Sequence, residues 1–174
     1  MKPLIKGLVV AAVQLALIGG IGGKLLYERA TRPRVWVWCQ TYDPDLPIRG
    51  RYLSEYLRIP AEGFSAPEAN PNQRYQNFMA NRVWAYFEVR NGQLTAVPHG
   101  EGSGGWVYLS KRADALEARI EEPVLVFIPD TASGPILHRG EELWVEVTLP
   151  KAGPPRPIQM GIKRDGNITP LKLD

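Results

Sequence analysis

The sequence predicts a mainly β protein: a single N-terminal transmembrane helix followed by a small antiparallel β sandwich or partly open barrel. Three observations carry that prediction. The run Gly7 to Gly23 holds seventeen residues without a charge, the composition of a lipid-embedded segment. Beyond it, short stretches alternate apolar and polar residues, the period of half-buried strands. Sixteen prolines and seventeen glycines make up close to a fifth of the 174 residues, which favours many turns and short strands over long helices.

The apolar run is flanked by Lys6 and Lys24. It covers about 25 Å as a helix, and Leu25, Leu26 and Tyr27 extend it towards the ~30 Å of a bilayer core while Lys24 snorkels. A cleaved signal peptide shares the basic start and apolar centre, and a buried core helix shares the apolarity. No Ala-x-Ala-like site follows the run, and its continuation is bulky, which favours an uncleaved anchor. The chain therefore divides into an anchor over 1–28, a linker over 29–33 and a mainly β domain over 34–174, with residues 7–27 meeting membrane lipid. Charge counting conflicts with export, because Lys24, Arg29, Arg32 and Arg34 follow the span while Lys2 and Lys6 precede it. A short basic N-terminus is also how an export signal begins, and long domains translocate largely regardless of charge. The expected location is thus a single-pass membrane protein with a periplasmic or extracellular domain.

Within the domain, Arg34–Thr41 alternates Val35, Val37 and Cys39 with Trp36, Trp38 and Gln40, predicting a first strand. Asp43–Gly50 is turn chemistry. Arg51–Ile59 fits either a helix face or a strand with Leu53, Glu55, Leu57 and Ile59 inward; the strand is preferred, with Pro60 ending it. Pro60–Asn72 reads as an exposed loop. Arg82–Arg90 faces Val83, Ala85, Phe87 and Val89 inward, and Asn91-Gly92 supplies a tight hairpin turn into Gln93–Val97. His99–Gly105 is a Gly-rich loop, followed by a short strand Trp106–Leu109 and a helical turn over Lys111–Ala118. The continuous apolar run Val124–Ile128 predicts a central strand covered on both faces. In Glu142–Leu149, Leu143, Val145, Val147 and Leu149 face inward, opposite Glu142, Trp144, Glu146 and Thr148. Ile158, Met160 and Ile162 form another inward face, and Asp165-Gly166 turns the chain into a final strand over Ile168–Leu173.

At DPDLPIRGRYLSEYLRI, Asp43 to Ile59, the chain resembles the membrane-anchored bacterial family named for the motif GDYXXLXY. Gly50 and Tyr52 match that motif, and the preceding anchor, Asp43-Pro44, Asp45 and Arg49-Gly50 resemble the family's arrangement. Arg51 stands where the motif has Asp, Glu55 where it has Leu, and Leu57 where it has the second Tyr. The resemblance implies an anchored domain and carries over no catalytic residue.

The net charge of +3 is spread among acidic residues, which gives no basic stripe for nucleic acid. Zinc needs converging ligands at defined spacing, whereas His99, His138 and Cys39 form no spaced pair, so no metal or other cofactor is expected. Cys39, inside a strand beside tryptophans, reads as a buried structural thiol. Gly100–Gly105 lacks the Lys-Ser/Thr and βαβ context of a phosphate cradle. Ser54 and Ser110 sit in no recognisable dyad. The best interaction surface is Arg49, Arg51 and Arg58 interleaved with Tyr52 and Tyr56, since Arg and Tyr supply much interface energy. The expected function is a membrane-anchored extracytoplasmic binding or accessory module serving a membrane or envelope protein complex. The alternative is an envelope hydrolase with a dispersed site among His99, Glu101, Asp130 and His138.

Overall fold

The computed structural model describes residues 3–41, 52–66, 81–112, 115–127 and 137–171. The chain forms two units, one ending at Arg32 and one starting at Pro33. The first is helix α1 (Pro3–Thr31). Over Ile5–Thr31 it is long and apolar enough to cross a membrane. Its last turn closes with the Arg32 amide donating to Glu28 O at 3.0 Å. Pro33 follows, where a ring without an N–H ends helical pairing. The helix thus reaches to within two residues of the first strand.

The second unit is an antiparallel, strongly curled half-barrel sheet of ten strands: β1 (Arg34–Thr41), β2 (Tyr52–Pro60), β3 (Arg82–Arg90), β4 (Gln93–Val97), β5 (Gly104–Arg112), β6 (Ala115–Ile120), β7 (Val124–Phe127), β8 (Glu142–Thr148), β9 (Arg156–Arg164) and β10 (Asn167–Pro170). Nine of them run in the order β10-β9-β8-β1-β2-β6-β5-β3-β4, and β7 pairs β2 off that path. The partly open barrel expected from the alternations is the observed architecture.

Strands that change partners along their length produce the curl. β1 pairs β8 over Arg34–Trp38 and β2 only over Cys39–Thr41. β2 in turn pairs β6 at Arg58–Pro60 and β7 at Tyr52–Glu55. Ala118 lies opposite Ile59 and Val124 opposite Glu55, six residues along one chain against four along the other. The two surplus residues fall within Glu121–Pro123, the link between β6 and β7. At the far end the curl brings β4 back to β2. Ala61 bridges Ala96, and the Glu62 amide donates to Ala96 O at 3.0 Å.

The inner face is aliphatic. Val37, Leu57, Ile59, Leu94, Val107, Ile120, Val145 and Met160 are buried there, with Phe87 as the largest side chain. Each fully buried aliphatic contributes roughly 1.5–3 kcal/mol, which is what commits the strands to this register. Leu53, Glu55, Leu57 and Ile59 all turn inward as the alternation requires, so Glu55, at 0% exposure, lies inside the core. The hairpin turns form as expected, with positive φ at Asn91, Gly92, Asp165 and Gly166.

Three sequence expectations are corrected. Ala115–Ile120 is strand β6, not part of a helical turn: Ala118 and Ile120 face the core, and Leu109 opposes Ala118 in the β5–β6 ladder. β5 begins at Gly104, inside the expected loop, because the β3 backbone and rings close over it. A Cβ on Gly104 would lie 2.9 Å from Ala85 O, and one on Gly105 3.5 Å from the Phe87 ring. Val124–Phe127 is not central: among the described residues β7 pairs only β2, and Leu125 is 56% and Phe127 51% exposed. In β8 the expected phase holds: Val147 stands opposite buried Val35 and Thr148 opposite Arg34, Thr148 being buried on that side, and Leu149 packs against the core.

Candidate functional site

Alternation places the large amphipathic side chains on the outer face of the sheet. All five tryptophans, Trp36, Trp38, Trp84, Trp106 and Trp144, lie there, and none is buried. Indole is too large and too polar at its N–H to pack easily into a core of small aliphatics. Here it stacks instead with cations from neighbouring strands.

Two connected groups result. In the first, the Arg82 guanidinium lies 3.9 Å from the Trp106 ring centroid, and Trp84 meets Trp106 edge-to-face at 5.5 Å. Arg82 also grips Glu121 with both ends of its fork, at 2.8–3.1 Å. The Tyr108 hydroxyl donates to the same carboxylate at 2.9 Å. Glu121 is held below the usual carboxylate range, first by the hydrogen bond from Arg82, against a smaller opposing effect of burial, and then by that from Tyr108. Arg119 continues the row, 5.0 Å from the Tyr108 ring and 4.5 Å from the Tyr56 ring.

The second group surrounds a cleft of about 220 Å³ at the place where β1 and β2 part. Trp36 and Trp38 of β1 and Trp144 of β8 form its aromatic walls; Arg58 and Glu117 supply its charge; buried Ile59 and Leu94 also line it. Arg58 lies 5.6 Å and Arg112 4.7 Å from the Trp38 centroid, while Lys163 sits 4.2 Å from that of Trp144. Arg58 donates to Gln40 Oε1 at 2.7 Å. Its ion pair with Glu117 is looser, at 3.7 Å, and Arg112 meets Glu117 at 3.5 Å. Arg58 Nε and Glu117 Oε2 are buried and carry no hydrogen bond. Trp36 packs against β9, where a Cβ on Gly161 would come within 2.8 Å of the ring.

Of the residues expected at an interaction surface, Tyr56 and Arg58 share this outer face, Arg58 in the cleft and Tyr56 beside it under Arg119. Tyr52 lies towards the other end of β2, edge-to-face with Phe127 at 5.7 Å. Arg49 and Arg51 lie outside the described residues. Trp36, Trp38, Trp144, Arg112 and Glu117 were not singled out from sequence. Their signal was the polar phase of each alternation, filled by indoles instead of small polar groups.

The catalytic alternative finds less to assemble. His99 and Glu101 belong to the β4–β5 loop, whose Gly102 approaches Lys151 O and whose Ser103 donates to Gly153 O at 2.6 Å, near the start of β9. His138 precedes β8, its amide donating to Glu141 at 2.7 Å, and Glu141 pairs with Arg164 at the end of β9. The seven-residue strand β8, roughly 20 Å long, separates the two. Asp130 lies outside the described residues. Among the described residues no His, Cys, Asp and Glu group can hold a metal ion. Cys39 is buried, donating to Leu143 O at 3.4 Å. Burial, and then the neighbouring Glu55 carboxylate, push its thiol far above the ordinary range, the opposite of an activated nucleophile.

Neither family models, nor curated proteins, nor solved structures give a match to this chain.

Proposed function

We propose that the protein is a membrane-anchored binding or accessory module, its domain held outside the cytoplasm to serve a membrane or envelope protein complex. The observation that carries this reading is the outer face: five indoles interleaved with arginines, three of them around an open cleft, in a domain joined by two residues to an apolar helix. Trp, Tyr and Arg are the side chains that dominate binding energy when a partner desolvates them. The helix confines the domain to the membrane surface, which raises its effective concentration towards other membrane components. The resemblance to the GDYXXLXY-motif family supports the same anchored arrangement.

Photo-crosslinking tests the role. With benzoylphenylalanine at Tyr56 or Gln93 in native membranes, illumination should yield one discrete adduct that is absent when the probe is at Arg164. Adducts of equal pattern from all three positions, or none, would refute the module. Sidedness is tested separately by a reporter at Asp174, expected to show periplasmic and not cytoplasmic activity.

A further inference from the structure

The cleft between β1 and β2 has a chemistry narrow enough to name its ligand class. Its cation sites are taken: Arg58 and Arg112 already lie over Trp38, and Lys163 over Trp144. A quaternary ammonium or lysine ligand would meet like charge there. An anion is disfavoured from the other side, since Glu117 lines the same cleft and carries an unsatisfied carboxylate oxygen. What the site lacks is a neutral group that both donates and accepts. Arg58 Nε needs an acceptor and Glu117 Oε2 a donor, and the two side chains stand 3.7 Å apart, longer than the ~2.7–2.9 Å of a closed charge-assisted hydrogen bond.

A hydroxyl meets both needs at once, accepting from the guanidinium and donating to the carboxylate. Both side chains line the cleft and keep part of their surface exposed, 26% for Arg58 and 19% for Glu117, so a hydroxyl reaches the two buried atoms once the side chains turn towards it. Indole walls suit the C–H face of a sugar ring, which is apolar while its edge is ringed with hydroxyls. The volume, about 220 Å³, falls below the ~300–1,000 Å³ of drug-sized ligand sites. It therefore accommodates one ring and not an extended molecule.

We infer that this cleft binds a single neutral pyranose ring, its C–H face on Trp36, over which no cation lies among the described residues, and neighbouring hydroxyls between Arg58 and Glu117. The inference rests on the binding-module reading and supplies it with a ligand: a sugar unit from an envelope polysaccharide or from a glycolipid headgroup.

The test uses the full chain in phosphatidylcholine nanodiscs and reads tryptophan fluorescence. Because α1 contains no tryptophan, the whole signal comes from the β domain. Soluble oligomers of N-acetylglucosamine, cellotetraose and maltotetraose form one arm, and nanodiscs carrying glucosyl diacylglycerol the other. A saturable change with an apparent Kd between about 10 μM and 10 mM in either arm is expected, and the responding arm identifies the source. Glu117→Ala should weaken it at least ~10-fold, and Leu125→Ser should leave it unchanged. If Glu117→Ala fails to fold, Glu117→Gln, which keeps the shape and loses the charge, should weaken binding several-fold. The inference is overturned by no saturable response in either arm, by a response undiminished in the Glu117 variants, or by an equal response to phosphocholine or inorganic phosphate. Failure here alongside a discrete crosslinked adduct from Tyr56 would leave the module standing without a sugar ligand.

Discussion

The two faces of the sheet are built from different materials. Inside are valines, leucines, isoleucines and small alanines with one buried phenylalanine; outside are all the tryptophans, interleaved with arginine and glutamate. Large aromatics usually supply a core with much of its buried area, yet here folding relies on aliphatics and the indoles are displayed. The difference separates two tasks. Changes to the inner face should register in stability, and changes to the outer face chiefly in recognition.

The largest expected effect is on the inside. Leu57→Ala, at a position with no exposure on the most connected strand, should cost about 2–5 kcal/mol, read as a lower urea midpoint with an unchanged slope. A loss below that range would mean that the faces are not divided as described. Next comes a glycine on which the outer layer presses. Gly161→Ala places a methyl 2.8 Å from Trp36 and 2.9 Å from Ile168. It should cost roughly 1–3 kcal/mol and shift tryptophan emission as the Trp36 ring moves aside.

Smaller is the effect of the Arg82–Glu121–Tyr108 linkage, which is partly exposed and therefore screened. Hydrogen bonds from Arg82 and Tyr108 depress the folded-state pKa of Glu121 below its unfolded value. Its stabilisation is accordingly complete at neutral pH and is lost as pH falls from about 4.3 through the folded-state value. Glu121→Gln should lower the urea midpoint slightly at pH 7 and flatten its decline in acid. Smallest of all is the response of Cys39: the folded protein should resist a maleimide that labels it quantitatively in urea. Rapid native labelling would show the inner face to be open.

Much of this division could be read from the sequence, because a period of two assigns each side chain to a face once a strand is recognised. RVWVWCQT and ELWVEVTL sort their valines from their tryptophans without further information. Three features resisted that logic. ALEARI carries good helix formers, and only its pairing with β5 and β2 makes it a strand, a preference that is not local. VLVF is apolar throughout, so period cannot tell a central strand from an edge strand that presents Leu125 and Phe127 outward. The cleft depends on β1 parting from β2, a consequence of register and curl that no single segment encodes. Glu55 was placed correctly by phase even though its charge argued for the surface. Tyr56 and Arg58 share a face because they lie two apart on one strand, whereas Glu117 and Trp144 join Arg58 only through folding.

The short link between α1 and β1 also has a mechanical meaning. From Thr31 to Arg34 the chain reaches at most about 10 Å, so there is little slack to take up a pull from the membrane. Tension along the helix would enter β1, which is hydrogen-bonded to β8 on one edge and to β2 on the other. Freeing that strand would require breaking pairings on both edges.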